Sequence, residues 1–190
     1  MSTRRTPWTM RCRRLGLVVL LLALAPTAGV ASDLSSGTSD RLREQKILSR
    51  MHRINQMEIA MAEMAIQRGQ SEAVKDFGRT LRKDHQENDA EVISVARQEG
   101  LSLTLATPTR TDERLEEHEQ QMRQLLESAQ GAAFDSVFVK TTAKGYAKVA
   151  LLLTIARDRL PKGRVRALVT STIPIIKRNR RLAEELQSQD

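Results

Sequence analysis

His85 stands in a run that otherwise reads as one apolar helix face, with Val74, Phe77, Gly78, Leu81, Asn88, Val92, Val95 and Ala96 recurring around it at helical spacing. An ionisable ring at the centre of such a stripe can hold a metal, relay a proton or complete a buried hydrogen bond. On the preceding segment, helical spacing puts Glu58 near the centre of an apolar arc and Asn55 at its edge, while Asp84 flanks His85. If the chain turns at Gly69 and Gln70, Asn55 and His85 each lie 15 residues from Gln70. Antiparallel packing then brings them level, with Glu58 about one turn away. Asn55, Glu58, Asp84 and His85 are therefore expected to form one cluster.

Glu58, Asp84 and His85 are ligand types for a hard divalent ion. Di-iron sites in helical bundles, however, use Glu-x-x-His pairs on facing helices. The residues three before His52, His85 and His118 are Ser49, Arg82 and Leu115. The later helices bring Thr141, Thr142, Tyr146, Thr172 and Asn179 inward or to the edge, none a strong ligand for a divalent metal. The favoured expectation is a structural polar layer in which Glu58 is paired with or hydrogen-bonded to His85, because buried charge persists when paired.

A second group lies in "MEIAMAEM", where Met57, Met61 and Met64 are spaced four and three apart. Soft thioethers on one helix side suit Cu(I). No methionine of a neighbouring helix is matched to them, so core filler is the plainer use. His118, in "DERLEEHEQQ", is expected on a solvated face. The basic stretch "IKRNRRL", with Arg164 and Arg166, runs into Glu184 and Glu185 without interleaved aromatics and reads as a solvated helix end.

The elements that must position these residues follow from caps and periodicity. A polar leader, 32–39, is expected to be disordered and to end at a cap, Ser39. A first helix spans about 40–67, with Ile47, Met51, Ile54, Met61, Ala62 and Ala65 inward. A second follows the Ser71 cap and ends at Gly100. A short polar helix over about 112–128 crosses to a long one over about 132–159, with Phe134, Phe138, Val149, Leu152 and Ala156 inward. The last, 164–187, turns in Val165, Leu168, Val169, Ile173, Ile176 and Leu182, and Pro174 should kink it. Two hairpins joined by a crossover make an all-α, ferritin-like four-helix bundle with a short fifth helix, over 40–187.

The N-terminus has a basic start, an apolar run from Leu15 to Ala25 and small residues up to Ala31. That order reads as a signal peptide over 1–31, and the run is shorter than the roughly 20 residues of a membrane span. Residues 1–31 hold five arginines, no acid and the one cysteine, Cys12, so 26 basic and 23 acidic side chains remain. The high pI of the whole chain is thus no nucleic-acid footprint, and a mature chain without cysteine has neither a disulfide nor a thiolate metal site. No integral membrane insertion is expected once the signal is removed.

The stretches "HRINQMEIAMAEMAIQRGQSEAVKDFGRTLRKDHQENDAEVISVARQEGLSL" and "GAAFDSVFVKTTAKGY" resemble the secreted bacterial family called domain of unknown function 4142, often labelled predicted outer-membrane protein. The resemblance covers roughly 40–187, most specifically Asn55 with Glu58, the Lys75–His85 stretch ending in "KDH", and "GAAFD". It implies a ferritin-like bundle in the periplasm or at the outer membrane, and no established reaction. Where that family tends to have later histidines, this chain has Thr141 or Tyr146, and Asn179. The resulting expectation is an exported, non-catalytic envelope protein without a cofactor, acting on an envelope protein or surface. The alternative is a metal-binding or metal-storage protein, using Glu58, Asp84 and His85 for a divalent ion or Met57, Met61 and Met64 for Cu(I). No Ser-His-Asp order, phosphate-cradling glycine loop or redox cysteine pair points to an enzyme.

Overall fold

The computed structural model describes residues 28–105 and 107–188. Among these it forms five helices and no strand: α1 (Ala28–Arg68), α2 (Glu72–Glu99), α3 (Arg110–Ser128), α4 (Gly131–Arg159) and α5 (Arg164–Gln187). A chain poor in aromatics and rich in Ala, Leu, Arg, Glu and Gln has helical propensity throughout, and local caps set where each helix stops. Ser71 accepts a hydrogen bond from Val74 N at 3.2 Å at the start of α2. Gly100, at φ 61°, closes that helix in the left-handed conformation glycine adopts without strain. At the start of α3, the Thr109 backbone N–H and hydroxyl both donate to Asp112 Oδ2, at 2.8 and 2.6 Å.

The first helix departs from expectation at its start. It begins at Ala28, so the segment 32–39 is helical rather than a disordered leader, and Ser39 lies inside the helix instead of capping it. Residues contiguous with an established helix need no new nucleus, and Gly37 within the segment costs only about 1 kcal/mol. Most of the expected signal peptide, residues 1–27, lies outside the described residues.

Side-chain pairings give the topology. Asn55 meets Asn88 and His52 meets Asp89, so α1 and α2 are antiparallel. Arg164 meets Glu99 and Asn179 meets Asp84, so α5 is antiparallel to α2. Gln70 meets Asp135 and Glu58 meets Tyr146, so α4 is antiparallel to α1. Arg50 meets Asp112, Arg53 meets Glu119 and Arg68 meets the end of α3, so α3 runs parallel to α1. The order is up, down, crossover, down, up. A bundle with one long crossover is the ferritin-like arrangement, and α3 carries the chain back along the length of α1.

The core runs the length of the bundle. Gly78 lets α1 and α2 approach closely: a Cβ there would lie 3.0 Å from Ala62 O and 3.1 Å from Ala65 Cβ. Phe77 packs edge-on against Phe138 (5.9 Å between ring centroids), and Phe138 stacks on Phe134 (6.2 Å). The Arg68 guanidinium lies 5.1 Å from the Phe134 ring and donates to the carbonyls of Leu126, Glu127 and Ala129, which end α3. In α4 Phe134, Phe138, Thr142 and Tyr146 are buried as expected, with Val139, Ala143, Ala150 and Leu153, whereas Leu152, expected inward, is 63% exposed. "VALLLTIA" is apolar on every side, so periodicity does not fix its phase. The fifth helix runs unbroken through Pro174.

Candidate functional site: a buried polar layer and the cavity beside it

Asn55, Glu58, His85, Asn88, Tyr146 and Thr172 are all buried at mid-bundle, supplied by α1, α2, α4 and α5. The helical spacing that aligns Asn55 with His85 holds: His85 Nδ1 lies 2.9 Å from Asn55 Oδ1. Glu58 is one turn on, but its link to His85 is indirect. The Tyr146 hydroxyl stands between them, 2.8 Å from His85 Nε2 and 3.1 Å from Glu58 Oε2.

The direction of the hydrogen bonds from Thr172 to His85 Nδ1 follows from one backbone carbonyl. Leu168 O can only accept, so the Thr172 hydroxyl spends its proton there, at 2.9 Å. Thr172 Oγ1 must then accept from Asn88 Nδ2, at 2.8 Å, which orients the Asn88 amide. Asn88 Oδ1 in turn accepts from Asn55 Nδ2, at 3.0 Å, leaving Asn55 Oδ1 to face His85. His85 Nδ1 therefore carries a proton, and in the neutral ring Nε2 is an acceptor. Tyr146 has one phenolic proton: with Glu58 ionised it goes to Glu58 Oε2 and the phenolic oxygen accepts from His85, and with Glu58 a neutral acid it goes to His85 Nε2. The run is complete if Glu58 is a neutral acid donating to Tyr146.

Electrostatics point the same way. Burial pushes the Glu58 carboxyl up from 4.5 to about 7, and the Tyr146 hydroxyl, where it donates to the ionised carboxylate, lowers it by less. Burial pushes His85 down from 6.5 to about 4, opposed by the negative charges of Asp84 and Asp89. Tyr146 is raised well above its ordinary value, by burial and then by Glu58. Between about pH 4 and pH 7 the layer thus holds Glu58 as the neutral acid and His85 as the neutral ring. The expected Glu58–His85 pair is corrected to a bridged, neutral one.

The other singled-out residues divide. Asp84 does not join Glu58 and His85; its Oδ2 accepts from Arg178 and, at 2.9 Å, from Asn179 Nδ2 on α5. With both His85 nitrogens engaged, Glu58, Asp84 and His85 do not converge as ligands. No group of three His, Cys, Asp or Glu side chains with metal-binding spacing occurs among the described residues. Asp89, unremarked in the sequence, accepts from Gln56 Nε2 and lies 2.7 Å from His52 Nδ1. Asp135, in "GAAFD", is buried on α4 and accepts from the backbone N–H groups of Gln70 and Ser71 at 2.9 and 2.8 Å, clamping the α1–α2 turn. An Asp after a Phe at a helix start gives little local hint that it will cap a turn 65 residues away.

Beside the layer, between α1, α3 and α4, lies a cavity of about 170 Å³. Met57, Glu58, Met61, His118, Met122 and Thr142 line it, with Thr141, Lys148 and apolar neighbours. Met64 instead borders a neighbouring cleft with Met57, Met61, Glu119 and Arg123. The expectation that no neighbouring helix supplies a methionine to this group is overturned by Met122 on α3. The crossover runs alongside α1, a placement helical periodicity does not reveal.

No curated protein and no solved structure matches the chain. The family model for a domain of unknown function, DUF4142, matches residues 29–186, which takes in all but the first residue of α1, the whole crossover and nearly all of α5. Over that span, with the polar layer and the Asp135 clamp inside it, the chain belongs to the DUF4142 family.

Proposed function

We propose that the chain is an exported, non-catalytic protein of the cell envelope that works through contacts of its outer surface with another envelope protein or surface. The observation that carries this reading is the closure of the interior. Among the described residues no buried side-chain nitrogen or oxygen lacks a hydrogen-bond partner. A general acid or base needs an atom within reach of a substrate, and His85, Tyr146 and the two asparagines spend theirs on one another.

The outside of α4, by contrast, presents Leu151, Leu152 and Ile155 at 62, 63 and 39% exposure. Large apolar side chains grouped on one helix end mark a contact surface more often than scattered ones do. Export rests on the charge order and small residues of 1–31, and among the described residues no helix is long and apolar enough to cross a membrane.

The test is recovery of the protein from the envelope fraction, with its N-terminus read by mass spectrometry and its sedimentation compared with that of a Leu151→Ser, Ile155→Ser variant. A start near Ser32, and a wild-type assembly larger than the chain that the variant loses, is the expected result. An intact Met1, or identical sedimentation of both proteins, contradicts it.

A further inference from the structure

We propose that the chain binds one Cu(I) ion between α1 and α3, held by the thioethers of Met57, Met61 and Met122 and the imidazole of His118. The proposal goes beyond the envelope role and does not depend on it.

The four side chains come as two pairs with the same spacing. Met57 and Met61 lie four apart on α1, and His118 and Met122 lie four apart on α3. Residues four apart sit one above the other on one helix face. The two helices run parallel, and the Arg50–Asp112 and Arg53–Glu119 ion pairs fix their register, the second beside His118 itself. Both pairs border the same cavity of about 170 Å³.

Donor chemistry selects the ion. Three thioethers and a neutral imidazole are soft or borderline ligands that carry no charge, which suits a soft monovalent ion and serves Mg²⁺, Ca²⁺ or Mn²⁺ poorly. The carboxyl in the lining, Glu58, is committed to Tyr146. His118 is also the histidine left for the task. His52 is engaged by Asp89 and His85 by Asn55 and Tyr146, while His118 makes no hydrogen bond or ion pair with a described residue.

Methionine as core filler closes a gap, and Met51, buried at 6% exposure, does so. Met57, Met61 and Met122 are half-buried and border a cavity instead, and His118, exposed as its charged surroundings led one to expect, belongs to the same lining. Met64 faces the cleft on the other side, where Glu119 and Arg123 rather than an imidazole are the neighbours, so it is left out of the ligand set.

The experiment is anaerobic titration of the purified protein with Cu(I) in competition with bicinchoninate, repeated on Met122→Leu, His118→Ala and Met64→Leu. Leucine for methionine conserves volume, and circular dichroism verifies that each variant is folded. The expected result is one equivalent of Cu(I) withdrawn by the wild type, at least tenfold weaker binding in Met122→Leu and His118→Ala, and less than twofold change in Met64→Leu. Failure of the wild type to compete overturns the proposal. So does loss of binding in Met64→Leu with none in Met122→Leu, which would place copper in the neighbouring cleft.

Discussion

Glu58 and His85 are joined through a single atom, the hydroxyl oxygen of Tyr146, which lies 3.1 Å from one and 2.8 Å from the other. Two ionisable groups of the core are thereby coupled without facing each other, and α4 is tied to the α1–α2 hairpin at its middle. A direct pair would hold the first hairpin alone. The bridged one sets the register of both hairpins, because sliding by a turn would strand a carboxyl, a phenol and an imidazole together.

Tyr146→Phe removes one oxygen and leaves Glu58 and His85 Nε2 without their shared partner. Two buried polar groups lose a hydrogen bond, so stability should fall by about 2–4 kcal/mol. Urea unfolding measures it. In a double-mutant cycle, coupling between Glu58 and His85 should vanish in the Tyr146→Phe background. Coupling that survives there would mean the two residues interact by another route.

Asp135→Ala strips the acceptors from the Gln70 and Ser71 N–H groups at the α1–α2 turn. The expected loss is about 2–4 kcal/mol, since the bonds are charge-assisted and the carboxylate is buried. Asp135→Asn should recover only part, because an amide offers one acceptor where the turn presents two donors. A midpoint in urea unchanged from the wild type would show that the turn holds its shape unaided.

The crossover is pinned at its start by Arg50, whose Nε donates to Asp112 Oδ1 at 2.6 Å. The Arg50 bond, with help from Thr109, holds the Asp112 carboxyl well below its ordinary 3.8. A depressed carboxyl contributes stability that is present above its unfolded value and lost as pH falls below it. Protection of the α3 amides, taken relative to their intrinsic exchange at each pH, should therefore fall on acidification below about 3.8, and in Asp112→Ala it should already be low at neutral pH. The substitution should cost about 1–3 kcal/mol. Exchange unchanged by the substitution would show that α3 is held by its apolar contacts with α1 and α4.

Much of the fold is legible from local signals. Ser71, Gly100 and the Gly163–Arg164 boundary punctuate helices whose ends agree with those signals, and Asn55 meets His85 because both are counted from the same turn. Longer-range features are not legible in that way. Tyr146 is expected inward or at the edge of its helix, but that it bridges Glu58 and His85 depends on how α4 sits against α1, which no local signal gives. Met122 joins Met57 and Met61 because the crossover lies parallel to α1, set by ion pairs of Arg50 and Arg53 that any surface arginine might make. The family resemblance points to "GAAFD" without saying that its Asp135 caps a distant turn.

The pH dependence of stability should show two cancelling slopes. Glu58, raised from 4.5 to about 7, contributes stability that is full below pH 4.5 and lost as pH rises to 7. His85, lowered from 6.5 to about 4, contributes stability that is full above pH 6.5 and lost as pH falls toward 4. Between 4.5 and 6.5 the folded layer gains a proton at one site and refuses one at the other. Relative to wild type, Glu58→Gln should lose about 3 kcal/mol as pH falls from 6.5 to 4, and His85→Gln about 3 kcal/mol as it rises from 4.5 to 7. Three parallel profiles would contradict the assignment.

The neutral layer stands or falls on the protonation of Glu58. Its side-chain carbon can be followed by carbon-13 NMR through a pH titration, with the signal assigned by its loss in Glu58→Gln. The account predicts a midpoint near 7, far above the ordinary 4.5, with His85 still neutral and protonated at Nδ1 at pH 6. A midpoint at or below 4.5, or an imidazolium at His85 at that pH, would show that the layer is an ion pair bridged by Tyr146, with the phenolic proton on Glu58 rather than on His85.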